Sequence, residues 1–452
     1  MTKKNNHEHL IDNQTNPLKL AFPIFIELLL FMVMGNVDTI MLSNYSDLAV
    51  AAVGNANQIL NTLLILFNIT AAATGIMVAQ YLGASKKHEL NQIYTMGFIL
   101  NLMLSGLIGV GLFLFQNAFF EAINMPSELH VDAKAYLNTI LLFLFVPALF
   151  SFSSVILKSH GIAKLSMYLA ILMNTVNIVG NYIFLFGPFG LPILGVKGVA
   201  ISTVASRFVA VTIMLYVLFK DVKISVHLKH LRPFPKSVFK KFVQLGVPSA
   251  GEPISYQFSQ MVIFSFINMM GTETVTTRIY VQIIVWFTYL GSLAIAQANQ
   301  ILVGHLVGAG REDDAYHMTI KSFKQALAIT VTISIVFMIL RVHLISLFTD
   351  NSEIIKLGAA ILLVDILVEV GRVANLVIIY AFKAAGDVNY PVVVGIFSMW
   401  GVSTLGAYIL GVHFGLGLVG IWLAMAADEV LRGLLMLNRL VKGHWRGKRI
   451  VH

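Results

Sequence analysis

Hydrophobic positions in this chain neither alternate nor form one-faced helical stripes. They run in blocks of roughly 20 or more residues, the length of helix that crosses a hydrocarbon core about 30 Å thick. The blocks fall at 17–43, 50–80, 93–117, 133–157, 165–188 and 192–219, and again at 242–269, 276–306, 321–348, 355–381, 390–411 and 415–438. Gly, Pro, Asn or charge punctuates them, as at Gly83-Ala84-Ser85-Lys86-Lys87, Gly187-Pro188 and Ala385-Gly386-Asp387. The pattern predicts an all-α integral membrane protein with twelve transmembrane helices.

The second set of six blocks repeats the first with a shift of 225 residues. Val78-Ala79-Gln80-Tyr81-Leu82-Gly83-Ala84 lies over Val303-Gly304-His305-Leu306-Val307-Gly308-Ala309, Pro23 over Pro248, Glu27 over Glu252, Lys158 over Lys383 and Gly161 over Gly386. Gly195 and Gly198 fall on Gly417 and Gly420 once three residues are dropped. One shared register along the whole chain is the mark of duplication. The expected organisation is a polar tail (1–16), an N-terminal six-helix bundle (17–219), a basic connector (220–241), a C-terminal six-helix bundle (242–440) and a basic tail (441–452). Six spans per half bring both halves into the membrane from the same side. They are then related by a pseudo-two-fold axis along the membrane normal, with a central cavity suited to alternating access.

Charge supports this picture and orients it. Charged residues make up 12% of the chain, about half the share of a soluble domain, too little to coat a water-soluble fold. With both termini cytoplasmic, roughly 24 of the 31 Lys and Arg fall on the cytoplasmic side, as the positive-inside rule requires. The net charge of +9 is thereby explained without nucleic acid. The stretch Met1–Asn16 has no apolar region after a basic start and no small-residue cleavage site, so no cleaved signal peptide is expected. Cysteine is absent, which removes disulfides and thiolate sites. No metal-ligand spacing of histidines, phosphate loop or nucleophile–base pair emerges, so no cofactor and no enzyme activity are expected.

Ionisable groups inside spans are costly and need a partner or a function. Asp38 in the first span has no basic residue within two turns on its own helix. Such a carboxyl is suited to taking up and releasing a proton, or to holding Na⁺ among other oxygens; the alternative is a hydrated group at the outer mouth. Asn174, Asn177 and Asn181 share one face of the fifth span, and Thr203 adds an oxygen from the sixth. Facing Asp38 they form a polar pocket. Taken singly, such residues often only bond a neighbouring helix. Glu27 and Glu252 are duplicated, so a structural role such as bonding a broken helix end competes with a site role. Tyr256, Gln257 and Gln260 give Glu252 polar company. Asp365, Glu369 and Arg372 form one stripe of the tenth span, read first as a structural ion pair of Glu369 and Arg372, with Asp365 reaching Glu369 through a shared proton or water, and second as a gating or coupling group. Asp428, Glu429 and Arg432 in the last span are read as structural. Met32, Met34, Met41, Trp286, Phe287, Tyr289 and Met399-Trp400 supply soft surface for varied aromatic or cationic ligands.

Asn36-Val37-Asp38-Thr39-Ile40-Met41, the duplicated Val78–Ala84 and Val303–Ala309 segments, and Lys383-Ala384-Ala385-Gly386-Asp387 resemble multidrug and toxic compound extrusion (MATE) transporters. The likeness covers roughly 16 to 440. It implies two six-helix bundles forming an H⁺- or Na⁺-driven exporter of the bacterial cytoplasmic membrane, with the coupling ion at Asp38. It also implies the family's fifth-helix polar pair at Asn177 and Asn181 and its sixth-helix threonine at Thr203. In members like the archaeal type the second fifth-helix position is acidic; here it is Asn181. The seventh-helix glutamate of NorM-like members falls on Tyr256 and their tenth-helix aspartate on Arg372, which places the chain nearer the DinF-like branch. Small organic substrates, cationic or amphipathic, are the expected cargo, the lipid bilayer the surroundings, and a single chain the working unit. The competing function is a flippase for a lipid-linked oligosaccharide or another lipid, which needs a basic cavity; Arg207 and Arg372 are the basic residues well inside spans.

Overall fold

The computed structural model describes residues 16–123 and 125–451. The expected polar tail (1–16) therefore lies, apart from Asn16, outside the described residues. Helices and turns account for the described chain, which contains no strand. The first three blocks are α1 (Pro17–Ser43), α2 (Asp47–Gly83) and α3 (Lys87–Ala122). The fourth, read as one span, is instead two helices, α4 (His130–Leu142) and α5 (Phe145–Ser159), bent by 51°. Pro147 explains the break. It has no N–H to offer the Phe143 carbonyl, and it sits in the first turn of α5, where a missing donor costs nothing.

The rest follows the predicted order. α6 (Ala163–Phe186) and α7 (Gly195–Val217) complete the first half; α8 (Lys236–Asn268), α9 (Thr272–Gly308), α10 (Glu312–Ser346), α11 (Ser352–Ala385), α12 (Asn389–Ser398) and α13 (Gly417–Val441) make the second. α12 continues to His413 through two stretches of wider π turns. Eight segments are long and apolar enough to cross a bilayer alone, and the α4–α5 pair makes a ninth. The other three, α8, α11 and α13, are equally long, but hold Glu252 and Tyr256, the Asp365–Glu369–Arg372 stripe, and Asp428, Glu429 and Arg432. Their lower apolarity reflects the groups placed there. Together these segments form twelve crossings.

The helices gather into two compact units. One comprises Ile26–Val78 and Lys86–Val243; the other comprises, among the described residues, 16–25, Ala79–Ser85 and 244–451. The first has a core around Phe67, Phe120, Leu137, Ala148 and Val199. The second has one around Ile263, Val285, Ile361, Val368 and Trp422. Outward faces are apolar too, with Leu107, Leu142 and Phe397 exposed, as suits helices bounded by lipid rather than water.

The duplication is visible in the backbone. Gly161 and Gly386 both take positive φ, 77° and 92°, and Gly195 and Gly417 do so at 54° and 58°. Ser85, at φ 57°, is matched by Gly310 at 74°, a conformation glycine adopts without strain. The duplicated glutamates are equivalent as well. Glu27 pairs with Lys158 at 2.9 Å and Glu252 with Lys383 at 2.8 Å. Ser154 also donates to Glu27, at 3.0 Å. Each pair ties the first helix of a half to its fourth, so these glutamates bond a lysine side chain rather than a broken helix end.

Candidate functional site

Four of the predicted residues meet in the first unit. α6 and α7 pack closely at Gly180, where a Cβ would stand 2.6 Å from the Ser202 hydroxyl. That approach sets Asn177 Nδ2 against Thr203 Oγ1 at 3.3 Å. One turn further along α6, Asn181 Nδ2 donates to Asp38 Oδ1 at 2.5 Å and to Asn177 Oδ1 at 3.5 Å. Asn177 and Asn181 are fully buried, while Asp38 is half-buried. Asn181 Oδ1 is buried and has no hydrogen-bond partner. Asn174 does not join this chain of bonds; its amide donates to the Ala170 carbonyl of its own helix at 2.9 Å.

Two neighbours escaped the sequence reading. Tyr136 of α4 donates to Asn57 of α2 at 3.1 Å and interacts electrostatically with Asp38. Arg207 of α7 also lies within electrostatic reach of Asp38, so the carboxylate does have a cation nearby, supplied from another helix. The available signal was spacing: Arg207 follows Thr203 by one turn, hence on the same face. Tyr136 carried no comparable signal.

The second unit holds a different arrangement. α11 and α13 cross at Gly371, whose Cβ would be 2.6 Å from the Val430 nitrogen, and at Gly433, 3.1 Å from the Gly371 carbonyl. Such contact is what small residues permit between membrane helices. It merges the two charged stripes that the sequence kept apart. Arg372 is paired with Glu369 and lies 3.7 Å from Glu429. Arg432 contacts Glu429 at 3.0 Å and Asp428 at 2.8 Å. Asn375 donates to Glu429 at 2.9 Å and Ser398 to Asp428 at 2.5 Å. Asp365 accepts from Trp422 Nε1 at 3.0 Å and stays within electrostatic reach of Glu369 and Arg372. Glu369 Oε2 is buried without a hydrogen-bond partner. Tyr256 of α8 is about one-third exposed and lies within electrostatic reach of Arg372, Glu429 and Arg432.

Of the soft residues, Met34 and Met399 are core, whereas Trp286, Phe287 and Trp400 are exposed. Phe287, with Phe22, Phe25, Phe337 and Phe348, lines an apolar cavity of about 760 Å³ in the second unit. Among the described residues no three His, Asp or Glu are grouped to hold a metal ion.

Two duplicated six-helix halves, charged groups confined to a few interior positions and an apolar cavity define a polytopic membrane transporter. The MatE family model matches residues 23–183 and 248–409, starting at the equivalent prolines Pro23 and Pro248. The chain belongs to this family of multidrug and toxic compound extrusion transporters. It is 39% identical over 437 residues to the uncharacterized transporter YisQ of Bacillus subtilis, covering 97% of this chain and 95% of that one. A probable multidrug resistance protein NorM of Thermotoga maritima is 25% identical, over 96% and 93% of the two chains. In fold, the chain is similar to a multidrug resistance MATE transporter of the MOP superfamily solved in an outward-facing conformation. The TM-score is 0.89 at 21% identity, over 99% of both chains. A MOP superfamily transporter from Pyrococcus furiosus, described as having a binding pocket of reversed polarity, gives 0.88 at 20% identity, over 98% of both chains. The protein is thus a multi-pass membrane transporter from a family that handles small molecules, not a family of enzymes.

Proposed function

We propose that the protein is a cation-coupled antiporter, driven by H⁺ or Na⁺, that exports organic cationic or amphipathic compounds by alternating access. It works as a single chain with both termini cytoplasmic, and sits nearer the DinF-like than the NorM-like branch. The bundles are those expected from the repeat, 17–219 and 242–440, joined by the basic connector. The supporting observation is the Asp38–Asn181 bond beside an unpartnered buried Asn181 Oδ1. As drawn, the amide donates to a carboxylate. A half-turn of the amide presents Oδ1 instead, giving an oxygen set of Asp38, Asn181, Asn177 and Thr203 for a cation. A proton on Asp38 neutralises the carboxylate and weakens the same bond, because hydrogen bonds to ionised groups are the stronger ones. Either ion therefore changes how α1 is tied to α6. That is the differential interaction a coupling ion needs.

A flippase binding a pyrophosphate needs free positive charge. Arg372 is engaged by Glu369 and Glu429, and Arg207 has the Asp38 carboxylate within electrostatic reach, which argues for the antiporter. The test is efflux of a fluorescent organic cation from proteoliposomes under a pH gradient or a Na⁺ gradient imposed separately. Transport driven by one gradient names the coupling ion. Transport indifferent to both overturns the proposal.

A further inference from the structure

The basic segment after α13 does not extend as a solvated tail. Trp445 is buried and donates through Nε1 to the Leu440 carbonyl at 3.2 Å, turning the chain back. Lys448 Nζ then reaches Asp387 Oδ1 at 2.6 Å, beside Arg439, which holds the same carboxylate at 2.7 Å. The Gly447 amide donates to Glu312 at 2.9 Å, and Arg446 pairs with Asp313 at 2.7 Å. The segment passes so close over the turn after α11 that a Cβ on Gly386 would lie 2.3 Å from the Lys448 carbonyl. It ends on Gln80: the Ile450 amide donates to Gln80 Oε1 at 2.8 Å, while Gln80 Nε2 donates to the Ala384 carbonyl at 2.6 Å.

Gln80 marks a special place. α2 packs with the first unit up to Val78, but Ala79–Ser85 belongs to the second. There it crosses the equivalent end of α9 with its glycines at the contact. A Cβ on Gly83 would stand 2.0 Å from the His305 carbonyl, and one on Gly308 would stand 2.0 Å from the Gln80 carbonyl. The contact is reciprocal, since Gln80 and His305, like Gly83 and Gly308, are repeat equivalents. A glycine crossing brings the two backbones into close van der Waals contact, and polar bonds placed around it add to that hold. The C-terminal segment supplies that addition.

We propose that Gly443–Val451 is a strap that holds the inner end of α2 against α9 and α11, and that the strap must yield before this end of α2 can leave. Its bonds suit reversible release. Lys448 and Arg446 remain about two-fifths exposed, so solvent can compete for their ion pairs. The consequence for efflux rests on the alternating-access reading; the strap itself does not.

The chain has no cysteine, so a single introduced thiol reports directly. Leu82 is buried in the crossing segment, and Leu82→Cys replaces it with a smaller group. Maleimide labelling of Leu82→Cys in proteoliposomes should rise by more than about tenfold when the chain is cut after Lys442, because the cut removes the Arg446 and Lys448 ion pairs together with the Gly447 and Ile450 bonds. Lys448→Gln, which leaves the Arg439–Asp387 pair in place, should raise it by a smaller factor and decides the matter if the truncation fails to fold. Unchanged labelling in folded Lys448→Gln and in the truncation overturns the strap. Raised labelling with unchanged efflux supports the strap and counts against the alternating-access reading.

Discussion

The two halves descend from one unit, yet their interiors differ. In the first, a single half-buried carboxylate, Asp38, is held by an amide, with Arg207 and Tyr136 nearby but not in an ion pair. In the second, three carboxylates and two guanidinium groups are bound to one another between α11 and α13. The repeat register shows that none of these groups is shared. Asp38, Asn177 and Asn181 fall opposite Ile263, Val402 and Gly406; Glu369 and Arg372 fall opposite Leu144 and Pro147. What the halves do share is the pair Glu27–Lys158 and Glu252–Lys383, and the glycine turns. The duplication kept the scaffold and released the interior. A site with one exchangeable carboxylate can change its charge by one unit, whereas a change on one group of the second half's network disturbs several partners at once.

The largest stability effect is expected at the shared scaffold. Glu252→Gln leaves Lys383 buried without its partner and should cost about 3 kcal/mol, read as a lowered thermal midpoint in detergent. Adding Lys383→Met should restore most of the loss, because a neutral pair has no charge to strand. Glu27→Gln should behave like Glu252→Gln; a different response would break the equivalence of the halves. Next comes Arg372→Gln, which leaves Glu369 and Glu429 facing each other without their shared cation. It should lower the midpoint by an amount comparable to a broken buried pair, about 3 kcal/mol, while leaving residual gradient-driven efflux in the folded fraction. Complete loss of efflux in folded Arg372→Gln would move coupling to the second half. Asn181→Ala removes one bond to Asp38 and should weaken the apparent affinity for the coupling ion about tenfold, with the maximal rate retained. Asn174→Ala, whose amide bonds only its own helix, should change affinity by less than about twofold, which would separate the residues that build the site from those merely beside it.

Most of the fold was legible. Block length predicts the crossings, and the repeat register aligns the glycines, Gly161 with Gly386 and Gly195 with Gly417, that the structure places in left-handed turns. The break at Pro147 was missed, since an apolar block of the right length hides a helix that stops and restarts within it. Asn177, Asn181 and Thr203 were found because helical spacing puts polar groups on one face. The approach of α1 to α6 that brings in Asp38 is a tertiary fact, which helical spacing could offer only as a candidate pocket and the family resemblance pointed to. The joining of the α11 and α13 stripes was not legible. It depends on the glycine crossing at Gly371 and Gly433, and nothing in one helix's spacing says which other helix it meets.

The claim that Asp38 carries the exchanged ion is tested most directly by adding an organic cation to the purified protein in weakly buffered detergent and measuring the H⁺ or Na⁺ released. Wild type and Glu369→Gln should release the ion on binding, and Asp38→Asn should bind the compound without release. Persistent release from Asp38→Asn, with loss in Glu369→Gln, would place coupling in the α11–α13 network and contradict the account.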